Sequence, residues 1–75
     1  MSDIDEALQR RLGQRVRALR ADRGLTQLRL AERSGISRPS IANVEAGRQN
    51  VSLRQLCGLA AALGVAVEEL LAERP

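Results

Sequence analysis

The chain has 75 residues, no aromatic side chain and no histidine, and its twelve basic and nine acidic residues give a net charge of +3. A chain of that length makes one domain with a modest core, built here from Leu, Ile, Val and Ala, and its lone cysteine, Cys57, excludes an intramolecular disulfide. No apolar run reaches membrane-spanning length and the acidic N-terminus lacks a signal-peptide pattern, so the expected setting is a reducing cytoplasm.

Apolar residues at Ile4, Leu8, Leu12, Val16 and Leu19 fall four, four, four and three apart. That spacing marks one face of a helix over about residues 4–22. Ser2, with Asp5 three residues on, is a candidate cap. Gly13 inside the helix is expected to cost roughly 1 kcal/mol against Ala, and Gly24 ends it where the chain must turn left-handed. Thr26 caps a second helix over Gln27–Arg33, with Leu30 and Ala31 inward, and Gly35 stops it. Ile36 plugs the turn. Ser37 caps a third helix, about residues 38–46, with Pro39 in its first turn, where a missing N–H costs nothing. Ile41 and Val44 face inward, and Gly47 terminates the helix. After a loop, Ser52 with Gln55 reads as a capping box for a fourth helix whose buried side is Leu53, Leu56, Cys57, Ala60 and Leu63. Gly64 ends it, and a fifth helix spans about 67–73 with Glu68 and Glu69 favourably placed in its first turn. Nothing reads as a strand. The fold class is all-α with five helices.

Charge is unevenly spread along these elements. All the basic residues are arginine; residues 1–54 carry a net +5 and residues 55–75 a net −2. A basic front with an acidic back suits a polyanion on one side, and arginine offers planar, bidentate hydrogen bonding to it.

The second and third helices, joined by a short glycine turn, have the layout of a helix-turn-helix. In that geometry the second helix of the pair enters the DNA major groove with its leading residues at base edges. At about 100° per residue, turning Ile41, Val44 and Glu45 inward leaves Pro39, Asn43 and Ala46 opposite, flanked by Arg38, Ser40 and Ala42. These types match groove chemistry: Arg38 can fork onto a guanine, Asn43 can bond an adenine bidentately, Ser40 can donate or accept, and Pro39 can touch a thymine methyl.

The runs LGQRVRALRADRGLTQ, LAERSGISRPSIANVEAGR, LRQLCGLAAALGV and EELL, from about Leu12 to Leu71, resemble the Cro/phage-repressor (XRE) helix-turn-helix family. The resemblance implies a lambda-repressor-like five-helix domain that binds double-stranded DNA. It implies that Gln27 bonds a phosphate and braces the recognition helix, and that Arg38, Pro39, Ser40 and Asn43 read bases. It places Arg48 on a phosphate and pairs Arg20 with Glu45 in a partly buried salt bridge. Further phosphate candidates are Arg29, Ser37, Asn50 and Arg54. It also implies a homodimer on a palindromic operator, with a seam at Val65, Val67, Leu70 and Leu71. Three positions depart from the pattern. Arg29 stands where a glutamate often completes a capping box, Pro39 replaces a commonly polar base reader, and Ala66 stands where a capping Ser or Thr is usual.

An enzyme is not expected. There is no His, no Tyr, no second Cys, and no phosphate-cradling or metal motif. No cofactor, metal, small-molecule ligand or membrane partner is implied. The reading that follows is a DNA-binding transcriptional regulator acting as a repressor. The alternative is an antitoxin or bridging module of the same fold whose main partner is another protein.

Overall fold

The computed structural model describes residues 3–72, with side chains from Glu6 onward. Five helices follow one another: α1 Asp3–Asp22, α2 Gln27–Ser34, α3 Arg38–Glu45, α4 Leu53–Leu63 and α5 Val67–Leu71. The expected elements are all present, with ends displaced by one or two residues. The proposed Ser2 cap lies outside the described residues. No described helix is long and apolar enough to cross a membrane.

The ends form for local reasons. Thr26, Ser37 and Ser52 each sit in extended backbone, and their hydroxyl oxygens accept from the N–H groups of Arg29, Ser40 and Gln55. Each bond satisfies a donor that the first helical turn leaves without a partner. At Ser52 the Gln55 side chain also accepts from the Ser52 N–H at 3.0 Å, which completes the capping box. Ala66 makes no side-chain cap at the start of α5. Gly35 stops α2 at φ 76°, a conformation that a Cβ would strain.

α1 lies along α3 and α5, while α2 packs against α3 and α4. Leu12 and Val16 of α1, Leu30 and Ala31 of α2, and Ile36 in the turn meet Ile41, Leu56, Leu59, Ala60, Leu63 and Leu70 in one cluster. Val44 is buried as well. The helix-turn-helix is thus clamped from behind by α1 and α4, which fixes the angle at which α3 projects.

The fourth helix is rotated relative to expectation. Leu53 is 74% exposed, Cys57 is exposed, and Leu59, not assigned to the buried side, is fully buried. α4 reads LRQLCGLAAAL and is apolar nearly all round, so periodicity alone cannot set its phase. A close approach to α2 sets it: a Cβ on Gly58 would lie 2.9 Å from the Ser34 carbonyl oxygen, so the glycine side of α4 must face α2. Cys57 is therefore an accessible thiol, and a disulfide-exchange reagent should label one thiol per folded chain without denaturant. Labelling that waits for unfolding would contradict this placement.

Candidate nucleic-acid interface

At the back of the site, three N–H donors from two helices converge on the Glu45 carboxylate. Arg20 Nε donates to Glu45 Oε2 at 2.6 Å and Arg20 Nη2 to Glu45 Oε1 at 3.1 Å. Arg20 Nη1 donates to the Leu25 carbonyl at 2.8 Å. Gln27 Nε2 donates to Glu45 Oε1 at 3.0 Å. The Arg20 and Glu45 side chains are only 16% and 5% exposed. Hydrogen bonding to Glu45 raises the Arg20 pKa, burial opposes the rise, and the attraction between the two charges adds to it. Arg20 therefore stays charged, and the network ties the end of α1 and the start of α2 to the last residue of α3. The expected Arg20–Glu45 bridge is present. The bond from Gln27 to Glu45, the last residue of α3, is the brace on that helix that the resemblance implies.

The outward edge of α3 is built by elimination. Ile41 and Val44 are buried, at 0% and 1% exposure, so helical geometry sends Arg38, Pro39 and Asn43 outward, and all three are exposed. Ser40 and Ala42 are half-buried on the flanks, and Ala46, just past the helix, is exposed. Ser37 uses its hydroxyl oxygen on the Ser40 N–H at 3.2 Å and keeps its O–H to donate. Among the described residues the ion pairs are Arg20–Glu45 and Arg29–Glu32, so the Arg38 guanidinium carries an uncompensated charge.

The candidate phosphate donors lie on the segments next to α3 in the chain. Arg48, in the loop after α3, and Arg54, in the first turn of α4, are both exposed. The capping box occupies the N–H groups of Ser52 and Gln55, which leaves those of Leu53 and Arg54 without helical acceptors. Asn50 does not stand free: its Oδ1 accepts a hydrogen bond from Gln9 Nε2, so the loop is tethered to α1 and the Asn50 amide nitrogen remains to donate. Arg29 is paired with Glu32 at 3.1 Å, with both side chains more than half exposed. Such a solvated pair is worth little and exchanges readily. The structure thus brings Arg38, Pro39 and Asn43 onto one edge of α3, with Gln27 tied to the last residue of that helix and Arg48 and Arg54 exposed on the segments that follow it.

The seam residues separate. Val65 and Val67 are half-buried against the core, and Leu71 is 37% exposed. Leu70 is 1% exposed. It is a core residue, because the turn of α5 that packs against α1 and α4 points it inward, and it cannot contribute to a surface contact.

Comparison with known proteins agrees with this arrangement. The chain is 44% identical over 62 residues to the immunity repressor protein of Bacillus phage phi105, covering 83% of this chain and 43% of that protein. It is 41% identical over 61 residues to the HTH-type transcriptional regulator DdrOP3 of Deinococcus deserti, covering 81% of this chain and 47% of that protein. The chain thus spans less than half the length of these two relatives. The restriction-modification controller protein C.AhdI from Aeromonas hydrophila superposes with a TM-score of 0.83 at 44% identity, covering 85% of this chain and 97% of that one. A family model described as helix-turn-helix matches residues 16–70, the segment that carries the clamp, the turn and the projecting edge of α3. The chain belongs to the helix-turn-helix family of the Cro and phage-repressor (XRE) type.

Proposed function

We propose that this chain is a sequence-specific, double-stranded-DNA-binding transcriptional regulator that represses by occupying its operator. The observation that carries the reading is the polar edge Arg38–Pro39–Asn43, exposed on a helix whose opposite face, Ile41 and Val44, is buried. With α3 in the major groove, Arg38 forks onto a guanine and Asn43 onto an adenine. Ser40 bonds a base or phosphate from the flank. Gln27, Ser37, Arg48 and Arg54 hold the sugar–phosphate rails, which positions the helix without specifying sequence. Asn50 assists through its free amide nitrogen, and Arg29 does so when its exposed pair with Glu32 opens. Similarity to an immunity repressor and to a restriction-modification controller supports regulation by DNA binding.

One recognition helix reads only a few base pairs, so the chain acts as a homodimer on a palindromic operator. Its two copies of α3 then lie one helical turn, about 34–36 Å, apart. With Leu70 in the core, the seam runs through Val65, Val67 and Leu71. Leu71 also borders a shallow apolar hollow of about 290 Å³ with Leu8, Val51 and the exposed Leu53, next to the DNA-facing loop.

Selection of bound duplexes from a random pool tests both parts. The wild-type chain should return two inverted half-sites at fixed spacing. Arg38→Ala and Asn43→Ala should each lose about 1–3 kcal/mol of discrimination at one base pair while the fold is retained. Recovery of an unchanged motif by both variants would remove these residues from the readout. A single asymmetric site would remove the dimer.

A further inference from the structure

Between α1, the start of α2 and the flank of α3 lies a hollow of about 230 Å³ lined by Arg17, Arg20, Gln27, Ala42, Glu45 and Ala46. At about 30 Å³ per water in the liquid, it has room for a phosphodiester group together with several waters. We propose that this hollow seats one phosphate of the duplex, and that Arg17 of α1 is the cation that binds it. The proposal rests on the DNA-binding reading and adds a contact to it from a helix outside the helix-turn-helix.

Charge accounting singles out Arg17. Two of the lining side chains are cationic, but the Arg20 guanidinium is bound to Glu45 through two of its nitrogens and to the Leu25 carbonyl through the third. Arg17 is exposed and takes part in neither ion pair among the described residues. The net charge at the hollow is therefore the positive charge of Arg17. Arg17 sits three residues before Arg20, which places both on one side of α1.

The other walls suit an anion that must come close. On the α3 side they are Ala42 and Ala46, one turn apart on either side of Asn43, and neither extends beyond Cβ. A phosphate rail flanking the groove that Asn43 enters would pass over them unobstructed. At the floor, Gln27 spends one amide N–H on Glu45 at 3.0 Å and keeps the second for a ligand. The backbone N–H groups of Gln27 and Leu28, in the first turn of α2, have no helical acceptors. Arg17 would grip from one side a phosphate that Gln27 holds from the other.

The test compares the wild-type chain with Arg17→Gln, Arg17→Lys and Arg23→Gln; Arg23 is exposed in the turn just after the same helix and does not line the hollow. Binding to a selected duplex and to a random duplex is followed by fluorescence anisotropy across a salt series. Each phosphate neutralised contributes about 0.9 to the log–log salt slope. In the homodimer each copy loses one contact, so Arg17→Gln should flatten the slope by about 1.8 on both duplexes, and quadrupling the salt weakens wild type about 12-fold more than the variant. Arg17→Lys should keep the wild-type slope, and so should Arg23→Gln. A second readout locates the contact: a neutral methylphosphonate is walked along the duplex backbone with wild type and with Arg17→Gln. At one position per half-site the neutral linkage should weaken wild type markedly more than it weakens Arg17→Gln. If wild type binds with a steep slope and Arg17→Gln matches it, the seat is refuted while the DNA reading stands. If wild type itself ignores duplexes at low salt, the DNA reading fails.

Discussion

Glu45→Ala is expected to lower the unfolding free energy by about 3 kcal/mol, as happens when one partner of a buried ion pair is removed. The loss is large because three donors converge on that carboxylate. Without it, the Arg20 guanidinium keeps only the Leu25 carbonyl, and Gln27 loses its acceptor at 3.0 Å. Arg20 is only 16% exposed, so water cannot fully replace what is lost. The double replacement of Arg20 and Glu45 by Met and Leu should recover much of the stability, because it removes the stranded charge along with its partner. It should not recover DNA affinity, since Gln27 would still lack the carboxylate that orients it. Urea denaturation of wild type and the two variants decides the matter. A Glu45→Ala protein within 0.5 kcal/mol of wild type, on the order of an ordinary surface substitution, would show that the pair is not a clamp.

Gly13→Ala is the second substitution with a large expected effect, and its sign is opposite to the one the sequence suggests. In an exposed helix the change is worth roughly 1 kcal/mol in favour of alanine. Here a Cβ at position 13 would lie 2.2 Å from the Val44 carbonyl oxygen and 3.0 Å from that of Glu45. Both obstacles are backbone, so no side chain can rotate out of the way, and α1 and α3 must separate. Overpacking of this kind costs about 1–3 kcal/mol, which for a chain of this size lowers Tm by roughly 4–8 °C per kcal/mol. The displaced element is the recognition helix, so affinity for DNA should fall along with stability. A melting temperature equal to or above that of wild type would refute the close approach.

These two positions show where the sequence was sufficient and where it was not. The cap residues Thr26, Ser37 and Ser52 and the glycine after α2 set the limits of the elements through interactions among near neighbours in the chain. Local chemistry of that kind is written in the sequence, and the helix ends fell within one or two residues of expectation. The outward edge of α3 was legible for the same reason. Burial of Ile41 and Val44 leaves a helix no choice about where Arg38 and Asn43 point.

What could not be read depended on partners distant in the chain. The expectation for Gly13 considered α1 alone, and the penalty comes from a carbonyl on α3. The phase of α4 was ambiguous because Leu53, Leu56, Cys57, Leu59 and Ala60 offer more than one apolar stripe. Packing of Gly58 against Ser34 selects the stripe that leaves Leu53 and Cys57 outside. Leu70 was assigned to a surface seam because α5, at five residues, is too short for periodicity to tell a core face from an outer one.

The sequence by itself therefore determined the number of helices, their ends and the face that α3 turns outward, since those follow from dihedral preferences, caps and spacing within a few residues. The tertiary structure alone decided which face of α4 is covered and how closely α1 approaches α3, and it joined the expected Arg20–Glu45 pair and the Gln27 brace at a single carboxylate. Those outcomes depend on distances between residues far apart in the chain, and such distances exist only once the helices have packed.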